Sequence, residues 1–371
     1  MKVLVTGSKG FIGKNLVLEL RNRNYKDIFE CGRDTELEEF DKFCKEVDFI
    51  FHLAGVNRPN DQSEFMECNY SFTLQLLNTL KKHNNFCPIM MSSSIQAEVD
   101  NPYGNSKKAG EDLIFSYNKE TGARVFVYRF PNIFGKWSKP NYNSAIATFC
   151  NNISRGIPIT VSDPNVTLKL VYIDDVIEEI LNAMEGNESK ANDFCEVSTV
   201  YTVTISEIVE LLYSFKRSRE EKSIPDMSNA FIKKLYSTYL SYLPTDQLSY
   251  FLKMNTDSRG TFTEFIKTKD RGQISINNIK PGIFKGNHWH HTKNEKFLVV
   301  SGKGIICLKR VDDDKIIEYF SSGEKMEVID IPAGYVHKIE NIGDEDMTII
   351  IWTNEPFDPE KPDTYYMEVK R

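Results

Sequence analysis

Two patterns of apolar positions divide the chain. In the first, short unbroken apolar runs alternate with amphipathic stretches. KVLVTG (Lys2–Gly7), VDFIFHLAG (Val47–Gly55) and PIMMSSS (Pro88–Ser94) lack polar alternation, which predicts strands buried on both faces. After the first run, FIGKNLVLELRNRN sets Ile12, Leu16 and Leu20 on one side at helical spacing. Strand and helix in succession predict a parallel sheet covered by helices. From about Asp246 the texture changes. TFTEFIKT, GQISINNI, EKFLVVSG, GIICLKRV, KIIEYF and MEVIDIP are short alternating runs punctuated by glycines, Asp-rich turns and Pro332. They predict antiparallel strands closing a barrel or sandwich. The expected division is an α/β domain over 1–243 and an all-β domain over 244–371. The stretch LYSFKRSREEKSIPDMSNAFIKKLYSTYLSYLP reads as charged, aromatic outer helix with one packed face and no assignable contacts.

Bulk properties narrow the function classes. A chain of 371 residues exceeds one ordinary core. A formal net charge of -7 argues against a broad nucleic-acid or anionic-membrane surface. It leaves room for a local nest of backbone N–H groups that binds phosphate. The seven cysteines are scattered without a CxxC pair, as expected of reduced thiols in a cytoplasm. With no signal pattern and no membrane-length apolar run, a soluble cytoplasmic protein is expected.

The first strand and helix are joined through Gly7-x-x-Gly10-x-x-Gly13. Glycine serves there where the turn is tight, where pyrophosphate meets backbone and where helix meets strand. The helix N-terminus adds free N–H groups for the phosphates. The second apolar segment ends in CGRD. An arginine at this place suits a ribose 2′-phosphate, so Arg33 points to NADP over NAD, with Asp34 beside it as the objection. His52 lies within an apolar run and reads as a satisfied core histidine. Tyr103 and Lys107 open a further helix at i,i+4, on one face. The ammonium is expected to lower the phenol pKa, and a hydroxyl from the SSS strand to share its substrate oxygen.

In that order the motifs VTGSKGFIG, HLAG, Asn69, SSS, YGNSK, YRFPNIFG and LVYIDDV resemble the extended short-chain dehydrogenase/reductases, which act on nucleotide sugars. The resemblance covers residues 1 to about 243 and implies a Rossmann-like parallel sheet. It implies that Tyr103 is the catalytic acid and that Lys107 anchors the nicotinamide ribose. The family serine falls on Ser94, with Ser93 as the alternative. Gly7, Gly10, Phe11, Ile12, Gly13, Arg33, Leu53, Ala54 and Gly55 join Tyr103 and Lys107 as the implied cofactor-binding set, for NADPH. Arg129, Asn132 and Gly135 fall on a segment that follows the sheet and borders cofactor and substrate, with Arg129 and Asn132 as the implied substrate-binding residues. Asp174 and Asp175 fall on a mainly structural motif. The span from Ser94 to Tyr103 is shorter than in most relatives, so the loop over the substrate is expected to differ.

The last third carries Gly282-x5-His288-x-His290-x4-Glu295-x6-Gly302, then Ile331-Pro-Ala-Gly-Tyr-Val-His337 and Asn341. His288 and His290, two apart on a strand, share a face. Three imidazoles and a carboxylate compose a metal site. The two motifs resemble those of cupins, although Met326 stands where the second motif often has glycine. The resemblance implies His288, His290, Glu295 and His337 as ligands of one divalent metal. Zinc is the first choice, with manganese, iron or nickel as alternatives. His291 is expected at the surface or behind the ligands.

A reductase ahead of a metal cupin resembles the bifunctional capsular-polysaccharide enzymes of UDP-N-acetyl-L-fucosamine synthesis. The resemblance implies a UDP-sugar substrate whose C3 the cupin epimerises in a UDP-4-keto-6-deoxy-N-acetylhexosamine. The N-terminal domain would then reduce C4 with NADPH, giving a UDP-N-acetyl-6-deoxy-L-talosamine-type product. No motif marks the epimerase base; Lys296, Tyr335 and the histidines are candidates. A second reading makes the cupin a non-catalytic dimerisation or sugar-binding module. A third, a 4-epimerase or dehydratase retaining NAD, ranks low because Ser94-Ile95-Gln96 offers a dehydratase no acid. A homodimer through the cupin is expected either way.

Overall fold

The structure is a computed structural model that describes residues 1–59, 61–268 and 270–370. The chain packs as two compact units. One takes Met1–Tyr213 with Ser228–Pro244, the other Ser214–Met227 with Thr245–Arg371.

Among its described residues the first unit contains ten strands: Val3–Thr6 (β1), Ile28–Cys31 (β2), Phe49–His52 (β3), Ile89–Ser94 (β4), Val125–Phe130 (β5), Asn132–Phe134 (β6), Thr167–Tyr172 (β7), Lys190–Ala191 (β8), Phe194–Cys195 (β9) and Tyr201–Thr204 (β10). Seven form one sheet in the order β2-β1-β3-β4-β5-β9-β8, and the others a small sheet β10-β7-β6. β1 to β5 pair in parallel, as the uninterrupted apolar runs predict. Alternate residues feed opposite faces. Val3 and Val5 pack with Leu16, Leu20, Val176 and Ile180 from the helices Phe11–Asn22 and Ile173–Glu185. Leu4 and Ile50 pack with Leu76, Leu80 and Ile114 from the helices Phe72–Lys82 and Pro102–Thr121. Because β1 lies between β2 and β3, successive connections leave it in opposite directions. A crevice therefore opens at the carboxyl ends of β1 and β3, where such sheets bind ligands. This is the Rossmann-like architecture.

The second unit contains Met254–Asp257 (β11), Gly260–Thr268 (β12), Gly272–Ile279 (β13), Phe284–Trp289 (β14), Glu295–Ser301 (β15), Lys303–Arg310 (β16), Ile316–Ser322 (β17), Val328–Ile331 (β18), Tyr335–Asn341 (β19), Met347–Thr353 (β20) and Tyr365–Tyr366 (β21). They form two sheets, β11-β12-β13-β20-β15-β18 and β17-β16-β19-β14-β21, paired antiparallel throughout. Ile279, Phe297, Val299 and Ile349 of one sheet pack with Ile306, Leu308 and Ile339 of the other, consistent with a cupin-like barrel. Strand β13 reverses the usual polarity. Gln273, Ser275 and Asn277 are buried, whereas Ile274 and Ile276 are partly exposed.

The segment Ser214–Met227, which the sequence placed with the first domain, packs with the second unit. The Lys267 N–H donates to the Lys222 carbonyl at 2.8 Å, and the Lys222 ammonium pairs with Glu264 at 2.8 Å. Among the described residues no helix is long and apolar enough to cross a membrane.

Candidate active site and metal centre

In the first unit the turn after β1 is built on glycine. Gly7 adopts φ +69°, and a Cβ there would lie 2.9 Å from the Ala54 nitrogen. At Gly13 a Cβ would lie 2.2 Å from the Gly7 carbonyl oxygen. The helix starting at Phe11 has no side-chain cap at Gly10, so its first N–H groups remain available to an anion. His52 ends β3 and is fully satisfied. Its ring nitrogens hydrogen-bond Thr6 Oγ1 and Thr73 Oγ1, each at 2.9 Å, and burial holds its pKa near 3. It is a core histidine, as its apolar surroundings suggest. Buried Asn69 ties down the following loop, accepting from the Val56 N–H and donating to the Val56 carbonyl and Ser106 Oγ.

The three serines of β4 diverge. Ser92 Oγ donates to the His52 carbonyl at 3.3 Å, and Ser93 Oγ to buried Glu111 at 2.5 Å. Ser94 Oγ accepts from the Gln96 N–H at 3.2 Å, and of the three hydroxyls it alone acts on the Tyr103 phenol, lowering its pKa. Asn101 caps the Tyr103 helix by accepting from the Gly104 N–H at 2.8 Å. One turn on, buried Lys107 donates to the Ser92 carbonyl at 3.1 Å. Burial lowers the Lys107 pKa to about 8, against the opposing pull of Glu111. The expected depression of the phenol is absent. Burial raises the Tyr103 pKa above its ordinary value, and the Ser94 hydroxyl only partly offsets this.

Gly7, Gly10, Phe11, Ile12, Gly13, Leu53, Gly55, Ser94, Tyr103, Lys107 and Asn132 all line one cleft of about 1000 Å³. Ala54 touches the glycine turn through its backbone nitrogen. Two sequence candidates lie elsewhere. Arg129 forms a fork with Glu111, at 2.9 and 2.7 Å, and also pairs with Glu98 at 2.7 Å. These carboxylates engage the guanidinium away from the cleft lining. Arg33 is exposed and off that lining too, while Lys9 lines it and pairs with Asp34 at 2.6 Å. Asp174 and Asp175 pair with Lys136 and Lys234. Trp137 and Tyr142, which no motif marks, also line the cleft; Trp137 is half exposed with φ 69°.

In the second unit His288, His290, Glu295 and His337 bring one ligand atom each within 4.8 Å of one another. His288 on β14 stands directly opposite His337 on β19, and Glu295 opens β15. His290 lies just beyond β14. Its Nδ1–H donates to the Asp363 carbonyl, which leaves Nε2 for the cluster. The Asp363 carboxylate accepts from the N–H groups of His291, Thr292 and Lys293, at 2.9, 2.8 and 3.0 Å, and so fixes the turn between the ligands. Burial pushes the His288 pKa down to about 4 and lowers that of His290. Burial acts to raise Glu295, but contact with His337 and the other imidazoles wins and lowers it. Neutral imidazoles and an ionised carboxylate are the forms that bind metal. His290 Nε2, His337 Nδ1 and Glu295 Oε2 are buried without hydrogen-bond partners, so the residues present fit a divalent cation. Exposed His291 packs against Trp289 and Tyr365 instead.

A cavity of about 290 Å³ adjoins the cluster. Neither Lys296 nor Tyr335 lines it. Lys296 pairs with Asp330 at the surface, and Tyr335 packs on the apolar core. The lysines that do line it are Lys285 and Lys293, which sequence reasoning missed.

Residues 3–197 match the model of the NAD dependent epimerase/dehydratase family, and residues 255–365 that of the polysaccharide biosynthesis C-terminal domain. The chain belongs to the NAD dependent epimerase/dehydratase family, as an extended short-chain dehydrogenase/reductase of capsular polysaccharide biosynthesis. It is 42% identical over 369 residues to a UDP-2-acetamido-2,6-beta-L-arabino-hexul-4-ose reductase of Pseudomonas aeruginosa, covering 100% of this chain and 99% of that one. The crystal structure of the capsular polysaccharide assembling protein CapF from Staphylococcus aureus superposes with a TM-score of 0.95 at 56% identity, covering 100% of both chains. A UDP-glucuronic acid 4-epimerase from Bacillus cereus in complex with NAD is 20% identical, with a TM-score of 0.51 over 58% of this chain and 84% of that one. That likeness concerns the fold alone.

Proposed function

We propose that the chain is a bifunctional, NADPH-dependent enzyme acting on a UDP-4-keto-6-deoxy-N-acetylhexosamine. The cupin inverts C3, and the first unit then reduces C4 to a UDP-N-acetyl-6-deoxy-L-talosamine-type product for capsule synthesis. The observation that carries the reduction is the Tyr103 phenol, one helical turn from Lys107 and sharing with it and Ser94 the lining of a glycine-lined cleft. The name of the Pseudomonas relative, a hexul-4-ose reductase, supports a ketone at C4.

When bound, the nicotinamide supplies the hydride. Ser94 orients the carbonyl oxygen, and Tyr103 gives it a proton as C4 is reduced. The raised phenol pKa suits an acid that must hold its proton at neutral pH. Lys107, buried with its ammonium toward the cleft, holds the cofactor ribose and stabilises the phenolate left behind. Arg129 supports this machinery from below, through Glu111, rather than contacting substrate. In the cupin, His288, His290, Glu295 and His337 hold one metal, for which zinc fits the three-nitrogen, one-oxygen donor set. A bound divalent ion supplies Lewis-acid polarisation to the cavity. The protein acts as a cytoplasmic homodimer joined through the cupin.

The test is NMR of the product made from the 4-keto UDP-sugar and NADPH in heavy water. Deuterium at C3, inverted C3 configuration and stoichiometric NADPH oxidation are expected. A reduced product with protium and unchanged configuration at C3 would sink the epimerase half. Absence of NADPH oxidation would sink the reductase half.

A further inference from the structure

Simple strand alternation puts Lys285 and His288, three residues apart, on opposite faces of β14. The observed register does not. Lys285 stands opposite Ile339 and His288 opposite His337, and both partners on β19 are buried. Directly opposed residues of an antiparallel pair share a face. A β-bulge between Gly286 and His288 absorbs the odd residue, with Asn287 at φ 58°. Gly286 makes the close approach feasible, since a Cβ there would lie 2.5 Å from the His337 carbonyl oxygen. The bulge thus turns a lysine into the cavity that holds the metal ligands.

The groups that accept from that lysine are neutral, while Asp257 and Arg259 act on it at longer range with opposite sign. Its ammonium donates to the Thr261 carbonyl at 3.2 Å, to Asn277 Oδ1 at 3.4 Å and to the Asn278 carbonyl at 3.5 Å. Asn277 belongs to the inverted strand β13, which presents amide and hydroxyl groups to the interior. Buried Lys293 is a second ammonium on the same lining, and Glu295 the carboxylate there. Lysines away from water are ordinarily paired with acids. An excess of cations over carboxylates in a small cavity favours a ligand that carries or develops negative charge. The volume, about 290 Å³, suits a monosaccharide ring rather than a whole nucleotide sugar.

We infer that Lys285 is the cation that holds the C4 oxygen of the 4-keto sugar while C3 is inverted. The inference rests on the proposed epimerisation in the cupin. In that step the C3–H bond breaks and its electron pair becomes the C3–C4 double bond. The carbonyl π pair moves onto O4, and the proton passes to a base in exchange with water. Return of a solvent proton to the other face of C3 reverses these electron movements. The negative charge on O4 is absent from the starting ketone, so an ammonium aimed at it acts mainly on the transition state.

The experiment measures C3 deuterium incorporation from heavy water into the 4-keto UDP-sugar, without NADPH, on the full chain. Lys285→Met should lower kcat for exchange by about 100- to 1000-fold with KM changed less than about threefold. Lys285→Arg should recover part of the loss, and metal content should match wild type. Should Lys285→Met fail to fold, Lys285→Gln carries the same test, because it keeps a partner for Asn277 without the charge. Exchange in either folded variant within about threefold of wild type overturns the inference and leaves the epimerase reading standing. No exchange in wild type overturns both.

Discussion

Replacing Lys107 by methionine should make the protein more stable at neutral pH while abolishing reduction. Lys107 is 6% exposed, and its ammonium donates to the Ser92 carbonyl at 3.1 Å. Burial lowers its pKa from the ordinary 10.5 to about 8 even though Glu111 pulls the other way. That fall corresponds to about 3 kcal/mol of destabilisation from keeping the charged form folded. Between about pH 8 and 10.5 the unfolded lysine still holds a proton that the folded one has released. The unfolded state then binds more protons, so the contribution of this residue rises with pH across that window. The penalty is full below about pH 8 and gone above 10.5.

Methionine matches the stem of the lysine and carries no charge. Its cost is one lost hydrogen bond, about 1 kcal/mol. Lys107→Met should therefore be more stable than wild type by about 2 kcal/mol at pH 7. The advantage should shrink steadily toward pH 10. The assay is urea denaturation of the full chain, followed by hydrogen exchange of the β1 to β5 amides, at several pH values. Wild type and variant share their other titrating groups, so the difference isolates this lysine. A variant less stable than wild type at pH 7, or a gap that does not shrink as pH rises, would refute the reasoning. The same variant should lose NADPH oxidation, placing the ammonium among groups retained for function at the expense of stability.

Tyr103→Phe should slow NADPH oxidation by about 10²- to 10⁴-fold while C3 deuterium wash-in persists, read in one NMR sample; loss of both activities in folded protein would contradict a division between the units. Arg129→Met leaves the buried Glu111 carboxylate uncompensated and should cost about 3 to 5 kcal/mol in urea denaturation, with KM for the sugar little changed in the folded fraction. A raised KM without destabilisation would return Arg129 to the substrate. His337→Ala removes one of four donors and should abolish stoichiometric metal by elemental analysis; full retention would displace the metal from this cluster.

What the sequence revealed follows from how local each device is. The glycine turn, the helix after it and the Tyr103–Lys107 pair each occupy a few consecutive residues, so spacing alone placed them. The three serines were legible as a strand end, but their assignment was not. Ser93 and Ser94 differ because Glu111, 18 residues along, accepts from Ser93, whereas Tyr103 meets Ser94. The partners of Arg129 were hidden for the same reason. Nothing near it in sequence announces that Glu98 and Glu111 will receive its guanidinium.

The metal centre shows the limit of periodicity more sharply. The cupin-like motif picked out the four side chains that could hold a metal, yet two features beside them arise from breaks in the period. His290 lies past the end of β14, so its orientation depends on the carbonyl of Asp363, 73 residues later. Lys285 faces inward only because the strand carries an extra residue at Asn287. Bulges cost backbone pairing and persist where they re-aim a side chain. Here the bulge re-aims two, His288 toward the metal position and Lys285 toward the cavity beside it. A regular β14 could present either the imidazole or the ammonium to the interior, never both. If the cavity's function needed only a bound metal, the irregularity would serve no purpose beyond orienting His288, and Lys285 could be replaced without loss of proton exchange.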